Sequence, residues 1–76
     1  MVNNADAYID SGNAYAEQGQ FDQAIQEYTK AIEVNPQYAM AYHNRGLAYR
    51  AIGQPNLAQK DFDKAIALDP QHYCAS

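Results

Sequence analysis

The chain has almost nothing with which to staple itself. Its 76 residues include one cysteine, Cys74, so no intrachain disulfide can form, and His43 and His72 do not complete a four-ligand zinc set. A reducing, cytoplasmic setting is the expectation. No run of about 18 apolar residues, the length that spans a bilayer, occurs anywhere. The opening Met1-Val2-Asn3-Asn4-Ala5-Asp6 has neither the basic patch nor the apolar stretch of a secretory signal. Unless it is a piece cut from a longer protein, the chain is expected to be soluble, with no membrane partner. Basic residues are also scarce: 5 Lys and Arg face 9 Asp and Glu, a net charge of −4. Nucleic-acid binders carry basic stripes that displace counterions from phosphates, so nucleic acid is not expected as a partner.

Reactive groups are equally thin. No nucleophile stands at a spacing that would put it beside His43, which reads as a solvated histidine, and Cys74 reads as an incidental thiol. The expectation is a protein that is not an enzyme and uses no cofactor and no metal.

What the chain does have is a duplication. Residues 5–38 align without a gap on residues 39–72, with identity at 14 positions, among them Tyr8/Tyr42, Gly12/Gly46, Tyr15/Tyr49, Gly19/Gly53, Ala24/Ala58, Ala31/Ala65 and Pro36/Pro70. Within each copy the apolar positions recur at three and four, the spacing of one face of an α-helix, and neither copy sustains the alternation of a strand. Helices are expected at about 5–18, 22–34, 39–52 and 56–68. Gly19 and Gly53 would close the first helix of each copy in a left-handed turn, and Pro36 and Pro70 would stop the second. Pro55 suits the first turn of the fourth helix, where no N–H is needed.

The fold class is therefore all-α, two tandem antiparallel helical hairpins at 5–38 and 39–72, with 73–76 as the stub of a third repeat or cap. Glycine inside a helix costs about 1 kcal/mol relative to alanine. The expected compensation is close approach, with Gly12/Gly46 and Ala24/Ala58 facing each other across each hairpin while Tyr8, Tyr15, Tyr28, Tyr42, Tyr49 and Phe62 fill the larger gaps.

These residues carry a resemblance. The pattern W-x2-L-G-x2-Y, then A-x3-F, then P is that of the tetratricopeptide repeat, and the first copy is similar to it through Tyr8, Ser11, Gly12, Tyr15, Ala24, Tyr28 and Pro36. The second copy matches through Tyr42, Arg45, Gly46, Tyr49, Ala58, Phe62 and Pro70. Ser11 and Arg45 replace the usual leucine, which leaves Arg45 to reach solvent or a carboxylate. Pro55 replaces an aromatic, and Leu57 either folds into that gap or stays exposed.

The resemblance implies a concave groove lined by the first helix of each repeat. Its candidates are Ile9, Asn13 and Glu17 from the first copy and Met40, His43, Asn44, Leu47 and Arg50 from the second. A mixed surface of that kind suits a peptide segment or a partner helix. Asn13 and Asn44 fall on the asparagine places of the family's two-carboxylate clamp for chaperone C-termini. Ile9, however, occupies the first lysine place, and a third repeat is missing.

The alternative is a structural self-assembly unit. Arrays of this type need capped ends, and the far side of the fourth helix, with Ala58, Phe62, Ala65, Ile66 and Leu68, is expected to be partly uncovered. Phe62, Ile66, Leu68 and Tyr73 are the self-association candidates for a homodimer formed by end-to-end stacking or hairpin exchange. Charge is unevenly shared. The first copy holds Asp6, Asp10, Glu17, Asp22, Glu27 and Glu33 against Lys30, a balance of −5, and the second holds Asp61, Asp63 and Asp69 against Arg45, Arg50, Lys60 and Lys64, a balance of +1.

Overall fold

The computed structural model describes residues 4–73, except for the side chain of Tyr73. Two candidates, Tyr73 as a self-association contact and Cys74 as a thiol, therefore lie outside the described residues. The elements follow in the order α1 (Asn4–Glu17), α2 (Phe21–Val34), α3 (Ala39–Ala51), α4 (Pro55–Leu68) and a single turn, α5 (Pro70–Tyr73). Among the described residues there is no strand, and no helix is long and apolar enough to cross a membrane. The main contacts join α1 to α2, α3 to α4, and α2 to α3, with α1 and α3 touching more lightly. This is the all-α arrangement of two successive hairpins.

The turns form for the reasons the glycines suggest. Gly19 and Gly53 have φ of 79° and 80°, a region where a Cβ would crowd the following carbonyl. Around the first, the Gln20 N–H donates to the Tyr15 carbonyl at 2.9 Å and the Gly19 N–H to that of Ala16 at 3.0 Å. Gln54 to Tyr49 at 2.9 Å and Gly53 to Arg50 at 3.1 Å repeat the arrangement, which satisfies carbonyls left open at the helix end. Pro55 opens α4 as expected. Pro70 does more than stop a helix: after Asp69 breaks α4, it becomes the first residue of α5, so part of the expected stub is already helical.

Packing is close because the contact residues are small. The molecule measures 32 × 32 × 16 Å, and apart from Ile9 and Tyr28 its buried apolar side chains among the described residues are alanines. Gly12 and Gly46 are the extreme cases. A Cβ on Gly12 would lie 2.7 Å from Cδ1 of Tyr28, and one on Gly46 2.7 Å from Cε1 of Phe62 and 3.2 Å from the carbonyl oxygen of Ala58. Each glycine thus makes room chiefly for an aromatic ring, and Gly46 also backs onto the carbonyl of its small partner Ala58. One expectation about α4 needs correction: Ala58 and Ala65 are 2% and 0% exposed, so neither contributes to an uncovered side. Of the two alternatives for Leu57, the structure shows the exposed one.

Candidate functional site

The cleft that gathers half of the expected groove residues lies where α1 and α3 pass each other over α2. It has a volume of about 300 Å³ and is lined by Asn13, Ala16, Glu17, Phe21, Tyr28, Asn44, Leu47 and Ala48. Four groove candidates, Asn13, Glu17, Asn44 and Leu47, are brought together here.

At its floor is a short polar chain. The Tyr28 hydroxyl donates to Asn13 Oδ1 at 2.6 Å, and Asn44 Nδ2 donates to the same oxygen at 3.3 Å. A buried tyrosine hydroxyl needs a partner, and Asn13 supplies it from the facing helix. Burial, reinforced by the negative charge of Glu17, pushes the Tyr28 phenol up and keeps it protonated as a donor. Two groups remain without a partner among the described residues, the Asn13 Nδ2 amide hydrogens and the Asn44 Oδ1. A donor and an acceptor side by side match the two hydrogen-bonding groups of a peptide unit.

The other groove candidates go elsewhere. Ile9 is 3% exposed and belongs to the core with Ala5, Ala24, Tyr28, Ala31, Ala41 and Ala48, so its side chain offers nothing to a ligand. An apolar β-branched side chain facing the next hairpin gains more from burial than from solvent. Met40 lines a second cleft, of about 360 Å³, with Gln37, Tyr38, Ala39, Leu68, Asp69 and His72. His43 and Arg50 both lie on Phe62: the two rings are 5.6 Å apart, and the Arg50 guanidinium is 5.6 Å from the Phe62 centroid. Partial burial, with Arg50 and then His72 nearby, holds the His43 imidazole below its ordinary 6.5. Of the self-association candidates, Phe62 sits beneath these two side chains, Leu68 lines the second cleft, and Ile66 is half-buried.

Arg45 reaches a carboxylate. Its Nε and Nη2 each donate to Asp61 at 2.8 Å, and its Nη1 donates to Thr29 Oγ1 at 3.2 Å. The guanidinium also lies 5.7 Å and 5.8 Å from the ring centres of Tyr42 and Tyr49. One side chain thereby ties α3 to α4 and to α2. In the first copy the same two places hold Ser11 and Glu27, and Glu27 pairs along its own helix with Lys30 at 3.4 Å.

Phe21 and Tyr28 are absent from the expected groove, because both occupy places that normally pack. The signal for Tyr28 is nonetheless present: a hydroxyl on the buried face of α2 requires an acceptor, and Asn13 is the amide on the face of α1 turned toward it.

Successive antiparallel helical hairpins repeated at a 34-residue offset define a helical-repeat protein. A family model described as TPR repeat matches residues 12–53, and one described as Tetratricopeptide repeat matches residues 39–72. The chain belongs to the tetratricopeptide repeat family, whose repeats generally mediate protein–protein interactions and are typically not enzymatic. Comparison with curated proteins gives no match.

Proposed function

We propose that the chain is a binding module that holds an extended polypeptide segment in the cleft between α1 and α3, gripping it by its main chain. The observation that carries this reading is the Asn13–Asn44 pair, with its unused amide donor and carbonyl acceptor in a cleft of about 300 Å³. A peptide carbonyl takes the Asn13 amide, and the adjoining N–H donates to Asn44. Phe21, Leu47 and Ala16 offer apolar contact to a side chain beside that peptide unit. Glu17 is the charged residue among those lining the cleft, which favours a segment carrying lysine or arginine over an acidic one.

The test is a panel of short extended peptides that differ in one apolar and one charged position, titrated by calorimetry. Basic–apolar members are expected to bind saturably. Asn44→Ala is expected to weaken them about tenfold, since it removes the acceptor while leaving the Tyr28–Asn13 bond intact. Tight binding of acidic peptides that survives Asn44→Ala would overturn the reading.

A further inference from the structure

We infer, resting on the main-chain grip proposed above, that the Tyr28 hydroxyl is the positioning group of the cleft. By holding Asn13 Oδ1 it fixes which ends of Asn13 and Asn44 face the bound segment, a donor from α1 and an acceptor from α3. A carboxamide carries an acceptor at one end and two donor hydrogens at the other, and half a turn exchanges them. Two facing asparagines therefore satisfy each other in either sense, Asn44 donating to Asn13 or Asn13 to Asn44. The two arrangements present opposite polarity to a ligand, so the pair by itself selects neither.

The hydroxyl removes the ambiguity. Tyr28 donates to Asn13 Oδ1 at 2.6 Å, and Asn44 Nδ2 donates to the same oxygen at 3.3 Å. One oxygen gathers both hydrogens, which leaves Asn13 Nδ2 and Asn44 Oδ1 for the cleft. Turning Asn13 over would strip the hydroxyl hydrogen of its one acceptor among the described residues, on a side chain only 2% exposed. A buried donor left unpaired costs more than a made bond gains. Burial, and then the charge of Glu17, push the phenol up, so it stays a donor. With Asn13 fixed, Asn44 is fixed as well, because its own oxygen would otherwise face that of Asn13. The repeat supplies an internal comparison. One repeat later the places of Tyr28 and Asn13 hold Phe62 and Leu47, so hydroxyl and carboxamide are replaced together. Phe62 also shows that a hairpin of this chain accommodates phenylalanine at that place. The ring is enough for packing, and the oxygen serves Asn13.

The test sets Tyr28→Phe beside the native 76-residue chain and titrates both with the tightest-binding peptide of the panel and with analogues in which each amide in turn is replaced by an ester. In the native chain the replacement at the gripped residue is expected to weaken binding about tenfold, since an ester oxygen then faces Asn44 Oδ1. In Tyr28→Phe the intact peptide is expected to bind about threefold more weakly, and the ester penalty at that residue to fall to about twofold, because the carboxamides are free to turn. The helical spectrum is expected to be unchanged. A second measurement needs no peptide. In the free, nitrogen-15-labelled chain, hydrogen exchange of the Asn44 side-chain amide is expected to quicken about threefold in Tyr28→Phe relative to the backbone amides of α3. An ester penalty equal in both chains overturns the inference, as does an Asn44 exchange rate that moves only with the backbone. A panel without a binder sinks the main-chain grip instead, and the exchange measurement then decides the role of the hydroxyl alone.

Discussion

Gly12 and Gly46 occupy one repeat position and do different amounts of work. Gly12 lies under Tyr28, which is 2% exposed and anchored by its hydroxyl to Asn13, so the ring has nowhere to go if a methyl is added. Gly46 lies under Phe62, which is half-buried and carries no hydroxyl to hold it, although the Ala58 carbonyl remains close. Gly12→Ala is therefore expected to destabilise by about 3 kcal/mol through overpacking. Gly46→Ala is expected to cost about 1 kcal/mol, since ring movement and the better helix propensity of alanine offset part of the clash. Urea denaturation of the two variants checks both the sign and the order. The same position thus reads differently depending on whether the next hairpin closes over its aromatic neighbour.

Among the elements, α3 is held from two sides by Arg45. The pair with Asp61 is largely buried, the side chains being 18% and 7% exposed, whereas the Lys30–Glu27 pair in the first hairpin leaves its lysine 52% exposed. An exposed pair along one helix contributes at most a few tenths of a kcal/mol. A bidentate pair between helices holds their spacing, and losing one partner leaves a charge stranded in a poorly solvated place. Asp61→Ala is expected to destabilise by about 3 kcal/mol. Replacing both residues by apolar ones, Arg45→Leu with Asp61→Leu, is expected to recover most of that loss, because the desolvation cost disappears together with the charges. Thermal denaturation of the single and double variants measures the coupling. A double variant no more stable than Asp61→Ala would show that the Thr29 contact and the tyrosine stacking, rather than the ion pair, hold α3 in place.

In the molecule as a whole the two hairpins are not equivalent, and His43 marks the difference. It stands where the first hairpin has Ile9, yet it is only half-buried and its imidazole is held below its ordinary 6.5, chiefly by burial and then by Arg50 and His72. The sign follows from linkage. The unfolded chain takes up a proton at about 6.5 while the folded chain still resists it, so His43's contribution to stability is present above that pH and is lost as pH falls through the lowered value. Urea midpoints at about pH 8 and about pH 5 are expected to differ more for the native chain than for His43→Leu. The leucine supplies the apolar side chain that Ile9 supplies in the first hairpin and has no proton to bind. An equal pH dependence in both chains would place its origin elsewhere.

Much of this was legible in the amino-acid order. The gap-free 34-residue offset, the periodicity, the glycines at 19 and 53 and the proline at 55 specify two helical hairpins with their turns, because backbone sterics and helix periodicity act over a few neighbouring residues. Asn13, Asn44, Glu17 and Leu47 were recognisable as one surface because the repeat assigns a face to each position. Contacts between helices were not legible in that way. Nothing in the spacing distinguishes Ile9, sealed at 3% exposure, from His43 at the same place in the next copy. Nor does it show that Arg45 finds Asp61 or that Tyr28 finishes at Asn13. Those outcomes depend on which hairpin stacks on which side, and burial, desolvation and pairing take their values only when residues far apart in the chain share one space.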